Sequence, residues 1–237
     1  MQTLAASLSA PVSVYALDVT DAAALDAAAR DFIARHGVPD IVIANAGISA
    51  GTRADLASDI AVLSRIMHTN VVGLAATLQP FVAPMRERGS GALVGIASVA
   101  GFRGLAGAGA YSASKAAAIT WLEAMRLELH GSGVDVVTIC PGYIATPLTA
   151  ANRHPMPFLL DAPEAARRIA RAIAAKKASP SFPGRCVWCS SFCCACRTGY
   201  TTGCSRARRA SIAIRRASPP PFLQLPFSDS LSRRGAG

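Results

Sequence analysis

The chain has 237 residues, of which 51% are hydrophobic, so it is long and apolar enough for one α/β domain with a full core and is not a disordered chain. Its net charge of +10 is unevenly divided: residues 1–179 carry 15 basic and 13 acidic side chains, whereas residues 180–237 carry 9 arginines and a single acid. The body of the chain is therefore nearly neutral, which argues against a nucleic-acid-binding surface there.

The cysteine content and the longest uncharged segment indicate the cellular location of the protein and whether it spans a membrane. Of the 7 cysteines only Cys140 lies in the body, which is typical of a reducing environment, so we expect a cytoplasmic protein. No secretory signal is predicted, because the first basic residue is Arg30. Residues 66–85 carry no charge but contain Asn70 and two prolines, which predicts a buried helix and no membrane span.

Hydrophobic periodicity predicts strands that alternate with helices. The predicted strands are residues 12–17, 41–44, 92–97 and 134–140. The predicted helices are residues 21–36, a long zone at 55–88, residues 111–130, and a helix from the N-cap Asp161 to Lys177 with Glu164 in the capping-box position. This alternation favours βαβ units and a parallel sheet covered on both faces, an α/β doubly wound fold of the Rossmann type.

Polar or glycine-containing residues follow each predicted strand. They are Asp18, Asn45-Ala46-Gly47, Ser98 and Pro141-Gly142. Parallel sheets of this kind bind ligands at the carboxyl ends of their strands. Each pattern alone is common turn or cap chemistry, but their recurrence at one edge favours a binding site there.

Tyr111 and Lys115 are four residues apart in Tyr-Ser-Ala-Ser-Lys, and Ser98 precedes the tyrosine by 13 residues. Positions i and i+4 share one helix face, and a nearby ammonium group favours the phenolate, so we expect Lys115 to lower the pKa of Tyr111 from its usual ~10. Ser98 would then hydrogen-bond a substrate oxygen. The trio predicts proton transfer to or from a hydroxyl, although Tyr-x-x-x-Lys alone is also an ordinary helix opening.

Taken in order along residues 12–177, these motifs resemble the short-chain dehydrogenase/reductase family. The resemblance implies an NAD(P)-dependent oxidoreductase that interconverts a hydroxyl and a carbonyl, with Tyr111 as acid/base and NAD or NADP as cofactor. It implies a catalytic set of Ser98, Tyr111, Lys115 and Asn70, the last supporting a water-linked proton relay. The implied cofactor-binding residues are Asp18, Val19, Asn45, Ala46, Gly47, Tyr111, Lys115, Pro141, Gly142, Ile144 and Thr146.

The resemblance has one further implication, and the chain departs from the family's pattern in two respects. The helices at residues 66–85 and 111–130 resemble those by which family members form homo-oligomers. Ala44 replaces the first Asn of the family's Asn-Asn-Ala-Gly motif. The family's first two strands and its phosphate-binding Thr-Gly-x-x-x-Gly-x-Gly turn have no counterpart, since residues 1–10 resemble the end of a later helix and the glycines at 101–109 are spaced differently.

Two expectations follow from the lack of counterparts for the first two strands and the phosphate-binding turn. Without the first two strands, residues 12–17 either pair directly with residues 41–44 or lack a place in the sheet. The alternative to the enzyme is a truncated, catalytically inactive fragment without cofactor binding.

Residues 179–237 form a second region, rich in Ser, Pro, Arg and Cys, that we expect to be disordered. Cys186-x-x-Cys189 and Cys193-x-x-Cys196 resemble two zinc-binding pairs, but three residues separate them and usual spacings are ~12–20, so no metal site is predicted. The arginines at 206–216 could form a nucleic-acid or membrane arm. We favour a third interpretation, out-of-frame translation of a GC-rich gene, over both.

Overall fold

A parallel sheet in the order β1-β2-β3-β4 forms the centre of the protein in a computed structural model that describes residues 10–150, 152, 155–176 and the backbone of 181–182. The strands are β1 (Ile41–Ala44), β2 (Gly91–Ile96), β3 (Val134–Pro141) and β4 (Ser181–Phe182). The registers pair Ile41 with Ala92 and Gly91 with Val134. The predicted α/β class and parallel sheet are confirmed.

The helices follow the predicted order along the chain. They are α1 (Ala22–His36), α2 (Asp59–Met67), a π turn (His68–Val72), α3 (Gly73–Arg88), a 3-10 turn (Val99–Gly101), α4 (Gly109–Glu128), α5 (Pro147–Ala150) and α6 (Ala162–Ala174). Asp21 caps α1 by accepting from the Ala24 N–H at 2.9 Å. Asp161 caps α6 in the same way at 2.7 Å from the Glu164 N–H. Both helix starts are therefore fixed by local side-chain chemistry.

Two hydrophobic clusters cover the two faces of the sheet. On one face, α3 and α4 pack against alternate strand residues, and this cluster includes Leu78 and Leu122 with Val42, Leu93 and Val136. On the other face, α6 packs against Val94, Val137 and Ile139 through Ala172 and Ile173. The alternation of β3 residues between the two clusters is the period of two that a doubly covered strand requires.

The predicted strand at residues 12–17 is wrong. This segment has no regular secondary structure, and β1 pairs with β2 alone among the described strands. It is tied to α1 instead, through Tyr15 donating to Asp31 at 2.6 Å and a Ser13–His36 contact at 2.9 Å. A strand needs a ladder partner, and none of the described strands forms a ladder with these residues. Of the two expectations for this segment, the second holds: it has no place in the sheet.

The end of the sheet differs from expectation too. Ser181–Phe182 adds a short parallel strand beside Cys140 and Pro141, in a region where the sequence predicts no strand. The predictions for residues 1–9 and for the rest of 179–237, including the domain boundary, the cysteine pairs and the arginine arm, lie outside the described residues.

The helical run Asp59–Arg88 is apolar and long enough, by length and composition, to cross a membrane, with a mean hydropathy of 1.3. Its residues Ile66, Leu78 and Met85 are fully buried within the protein. Of the apolar 18-residue window of this run, 28% is buried within the protein, so the predicted buried helix and the predicted absence of a membrane span both stay predictions.

Candidate functional site

Ser98 and Tyr111 meet at the carboxyl end of β2. Ser98 is 8% exposed and caps the 3-10 turn, its Oγ accepting from the Ala100 N–H at 3.1 Å. The same hydroxyl lies 3.5 Å from the Pro141 carbonyl oxygen at the end of β3. This contact connects the ends of β2 and β3. Tyr111 lies in the first turn of α4, and the Ser98 side chain is close enough to its hydroxyl to lower the pKa of the phenol through hydrogen bonding. The two predicted hydroxyl groups are therefore near one another.

Lys115 lies one turn further along α4 and is 4% exposed. Its Nζ donates to the Ile96 carbonyl oxygen at 2.8 Å and lies 5.8 Å from the centre of the Tyr111 ring. Burial lowers the pKa of Lys115 to about 8, and the nearby Cys140 opposes this shift only in part. The predicted i, i+4 proximity is therefore present, with the ammonium held by a strand-end carbonyl.

The predicted pKa change at Tyr111 is wrong in this structure. Burial raises the pKa of the phenol above its ordinary value, and the hydrogen bond from Ser98 offsets part of that increase. Lys115 does not reverse it, because its ammonium is directed to the Ile96 carbonyl and its own pKa is lowered by the same burial. Tyr111 therefore keeps its hydroxyl proton at neutral pH, and its role as an acid or base stays a prediction.

Asn70 lies in the π turn between α2 and α3 and is fully buried. Its Oδ1 accepts from the Ile48 N–H at 2.8 Å, and its Nδ2 donates to the Ile48 carbonyl at 2.9 Å and to Ser114 Oγ at 3.0 Å. π turns of this kind are frequent at functional sites. The amide thus fixes the loop after β1 to α4 through Ser114, and its part in a proton relay stays a prediction.

Gly47 occupies the space between Asn70 and Lys115. A Cβ at this position would lie 3.3 Å from Asn70 Oδ1 and 3.5 Å from Lys115 Nζ. The preceding Asn45 and Ala46 are exposed at the end of β1. The loop therefore brings its backbone close to the lysine and leaves its first two residues open to solvent.

The loop after β3 holds the remaining predicted residues in a compact turn. Ile144 pairs with Leu160, with the Ala145 N–H donating to the Leu160 carbonyl at 2.8 Å. Thr146 is fixed by its N–H, which donates to Thr149 Oγ1 at 3.1 Å. Pro141 is buried, and Gly142, Ile144 and Thr146 are partly buried beside it.

Asp18 and Val19 lie apart from the Ser98–Tyr111 pair, beside the π turn. Val19 packs against the start of α3, since a Cβ on Gly73 would come within 2.9 Å of its carbonyl oxygen. Asp18 accepts from the N–H and the hydroxyl of Thr20 at 2.9 and 2.8 Å, and these bonds lower its pKa. Asp18 is exposed, so its carboxylate is open to a ligand.

Sequence reasoning missed several residues that support the site. Thr52 Oγ1 accepts from the Ala110 N–H in the first turn of α4 at 3.2 Å and so caps this helix from a distant loop. Ser114 accepts from Asn70 and donates to the Tyr111 carbonyl at 2.8 Å. The second serine of Tyr-Ser-Ala-Ser-Lys is a local signal for Ser114. Nothing local marks Thr52, because its partner is 58 residues away.

The helix-covered parallel sheet, with Ser98 and Lys115 at its carboxyl edge, is an α/β architecture, and comparison with known proteins gives the family. The family model described as short chain dehydrogenase matches residues 1–157. The chain belongs to the short-chain dehydrogenase family.

Two relatives show the extent of the match. An uncharacterized oxidoreductase of Myxococcus xanthus is 46% identical over 167 residues, which are 70% of this chain and 66% of the relative. A ketoacyl reductase of Nostoc is 42% identical over 125 residues, 52% of this chain and 43% of the relative. The chain thus spans less than two thirds of the length of these relatives.

Solved structures agree in fold. A short-chain dehydrogenase from Streptomyces avermitilis superposes with a TM-score of 0.73 at 26% identity, covering 83% of this chain and 80% of the other. One from Burkholderia cenocepacia, solved in complex with NADP, has a TM-score of 0.70 at 23% identity over 81% and 78%. The latter likeness shows the fold alone. Homo-oligomer formation and a cytoplasmic location stay predictions.

The described residues fit the nicotinamide end of a dinucleotide. Asn45 and Ala46 at the end of β1 are exposed, and Gly47 brings the loop backbone close to the Lys115 ammonium, since a Cβ there would lie 3.5 Å from Lys115 Nζ. A phosphate-binding glycine turn ahead of β1 is not among the residues that the structure describes.

Proposed function

We propose that this protein reduces a carbonyl compound to an alcohol, and catalyses the reverse oxidation, with NAD or NADP as the hydride carrier. The observation that carries the proposal is the group of Ser98, Tyr111 and Lys115 at the carboxyl ends of β2 and β3, with Ser98 Oγ 3.5 Å from the Pro141 carbonyl oxygen and Lys115 Nζ 2.8 Å from the Ile96 carbonyl oxygen and 5.8 Å from the Tyr111 ring centre. Membership of the short-chain dehydrogenase family supports the same reaction class.

Each residue has a distinct part in the proposed reaction. Ser98 donates a hydrogen bond to the substrate oxygen and holds it near Tyr111. Tyr111, whose pKa is raised by burial, gives its hydroxyl proton to that oxygen as negative charge develops there. In the oxidation direction the same atom takes the proton back, which requires the phenolate.

Lys115 supports this transfer electrostatically. Its ammonium would stabilise the phenolate that remains after Tyr111 loses its proton, and with a pKa of about 8 it is charged at neutral pH. A bound nicotinamide dinucleotide supplies the hydride. Gly47, Lys115, Pro141, Gly142, Ile144 and Thr146 would hold its nicotinamide end, and Asp18 with Val19 its adenine end.

The test follows the loss of NADPH or NADH absorbance at 340 nm with a methyl ketone such as 2-octanone. General acid catalysis contributes typically 10²–10⁴-fold, so Tyr111→Phe should lower kcat by at least about 100-fold without changing the circular dichroism spectrum. Tyr15→Phe is the matched control, because it removes a phenol hydroxyl that bonds Asp31 on α1, away from the Ser98–Tyr111 pair. Equal rates for Tyr111→Phe and the native protein would refute the role of Tyr111.

A further inference from the structure

The first turn of α4 carries Tyr111 but is not capped by a side chain of its own. Tyr111 is the third residue of this helix, after Gly109 and Ala110. The N–H groups of a first turn have no partner within the helix, and the N-cap residue Ala108 has no side-chain acceptor to offer them. Helix ends that lack a cap fray. The position of Tyr111 therefore depends on the groups that hold this turn from outside the helix.

Thr52 supplies such a group from the loop after β1. Its Oγ1 accepts from the Ala110 N–H at 3.2 Å, and a Cβ on Gly109 would lie 3.9 Å from the same oxygen. Its own N–H donates to the Gly107 carbonyl at 2.9 Å, and Thr52 forms a single parallel bridge with Ala108. The threonine thus contacts the chain on both sides of the point where α4 begins.

The loop that carries Thr52 is itself fixed. Four residues before Thr52, the peptide groups of Ile48 are held by the buried Asn70, which accepts from the N–H at 2.8 Å and donates to the carbonyl at 2.9 Å. Asn70 also donates to Ser114 Oγ at 3.0 Å, and Ser114 donates to the Tyr111 carbonyl at 2.8 Å. The loop is therefore joined to α4 at two points, one before Tyr111 and one after it.

Thr52 acts on α4 through the backbone. Both hydrogen bonds that it makes among the described residues are with backbone groups, and its side chain is partly buried. Removing its hydroxyl oxygen therefore changes the hold on the first turn and alters no charge in the site. Misplacing a reacting group by about 1 Å can lower a rate by about 100-fold, so a cap that fixes this turn is enough to affect proton transfer by Tyr111.

We infer that Thr52 is a positioning residue, whose hydroxyl caps α4 from the loop after β1 and holds Tyr111 where its phenol meets the substrate oxygen. This inference rests on the proposed function, because Thr52 has no chemistry of its own and acts through the proton transfer by Tyr111. An interaction that serves only the transition state lowers kcat and kcat/KM equally when it is removed. Loss of the cap should therefore appear in kcat, with KM unchanged.

Two variants of Thr52 in the full-length protein test the inference. Thr52→Val keeps the branched shape and removes the hydroxyl, whereas Thr52→Ser keeps the hydroxyl. In the reduction of 2-octanone with NADPH or NADH, Thr52→Val should lower kcat by about 10- to 100-fold, and Thr52→Ser should retain kcat within about twofold. Thr77→Val is the matched control, because Thr77 is also partly buried and its hydroxyl donates to the Gly73 carbonyl within α3 at 2.7 Å. Its kcat should equal that of the native protein.

A second measurement reports the cap without relying on activity. In Thr52→Val the Ala110 N–H loses its acceptor, so its hydrogen exchange, followed by NMR, should become at least about fivefold faster, which is the equilibrium factor of a typical cap bond. Exchange at Ala110 in Thr52→Ser and in Thr77→Val should match that of the native protein.

The outcomes separate this inference from the proposed function. A native kcat in Thr52→Val overturns the positioning role while the reaction stands, and faster exchange at Ala110 without a loss of kcat would show that the cap is structural only. An equal loss of kcat in Thr52→Ser or in Thr77→Val also overturns the inference, because the cause would then not be the Thr52 hydroxyl. If the native protein turns over no ketone or alcohol, the proposed function fails and the positioning role falls with it.

Discussion

Replacing Lys115 by methionine should make the protein more stable and inactive. Lys115 is 4% exposed, and its pKa is about 8 in the folded protein against 10.5 for the free side chain. At neutral pH the folded state holds an ammonium group that burial disfavours. Methionine keeps an unbranched side chain of similar length and removes the charge, so we expect the buried site to be relieved of its desolvation cost.

The magnitude follows from the two pKa values. A difference of one pKa unit corresponds to about 1.36 kcal/mol, so a shift from 10.5 to about 8 corresponds to about 3 kcal/mol at pH 7. The lost hydrogen bond to the Ile96 carbonyl offsets about 1–2 kcal/mol. We therefore expect Lys115→Met to raise the free energy of unfolding by about 1–2 kcal/mol at pH 7.

The pH dependence gives the sharper test. Between the folded pKa of about 8 and the unfolded value of 10.5, the unfolded chain binds more protons than the folded one, so the native protein gains stability as pH rises through this window. The variant lacks this gain. The difference in free energy of unfolding between Lys115→Met and the native protein should therefore decrease steadily from pH 8 to pH 10. Groups that titrate in the same way in both proteins do not contribute to this difference.

Urea unfolding followed by circular dichroism at pH 7, 8, 9 and 10 measures the difference between the two proteins. Lys176→Met is the control, because that lysine is 66% exposed and pairs with Asp135 at 2.7 Å on the surface. It should change stability by less than about 1 kcal/mol. A variant at Lys115 that is less stable at pH 7, or whose difference from the native protein is independent of pH, would refute the argument from burial.

Three further changes test the packing around the site. Gly133→Ala should abolish cooperative unfolding, because φ is +82° there and a Cβ would overlap the Gly89 carbonyl; a normal melting curve would contradict the contact. Asn70→Ala should lower the free energy of unfolding by about 2–4 kcal/mol, because it leaves the buried Ile48 N–H and carbonyl without their partner. A decrease of less than about 1 kcal/mol in urea unfolding would contradict this. Asp161→Ala should cost about 1 kcal/mol through the lost N-cap, whereas Asp161→Asn retains most of it; equal losses would argue against the capping bond.

Local sequence signals predicted the elements whose causes are local. The strand Ile41–Ala44 is confirmed at both ends, and Asp161 caps its helix as its spacing from Glu164 predicts. The group of Ser98, Tyr111 and Lys115 is assembled because β2 ends just before the serine and α4 begins just before the tyrosine. The i, i+4 rule predicts that Tyr111 and Lys115 are close, whereas Ser98 was assigned to the same group through the family resemblance.

The errors arose where the outcome depends on distant groups. Residues 12–17 have a strand-like composition, but a strand exists only where another strand supplies its ladder, and composition does not report that partner. The pKa of Tyr111 depends on the competition between burial and the Lys115 charge, and the lysine is directed to Ile96, which is 19 residues away. Thr52 and Leu160 contact the site through loops whose paths no local pattern encodes.

The central claim is that Tyr111 protonates the carbonyl oxygen of the substrate while the carbonyl carbon receives hydride from a nicotinamide. Its most direct test uses NADPH or NADH in which both hydrogens at C4 of the nicotinamide are replaced by deuterium, with 2-octanone as substrate and mass spectrometry of the alcohol formed. We predict one deuterium on the carbinol carbon with the native protein and at least about a 100-fold slower appearance of label with Tyr111→Phe. Unlabelled alcohol, or equal labelling rates in both proteins, would contradict the account.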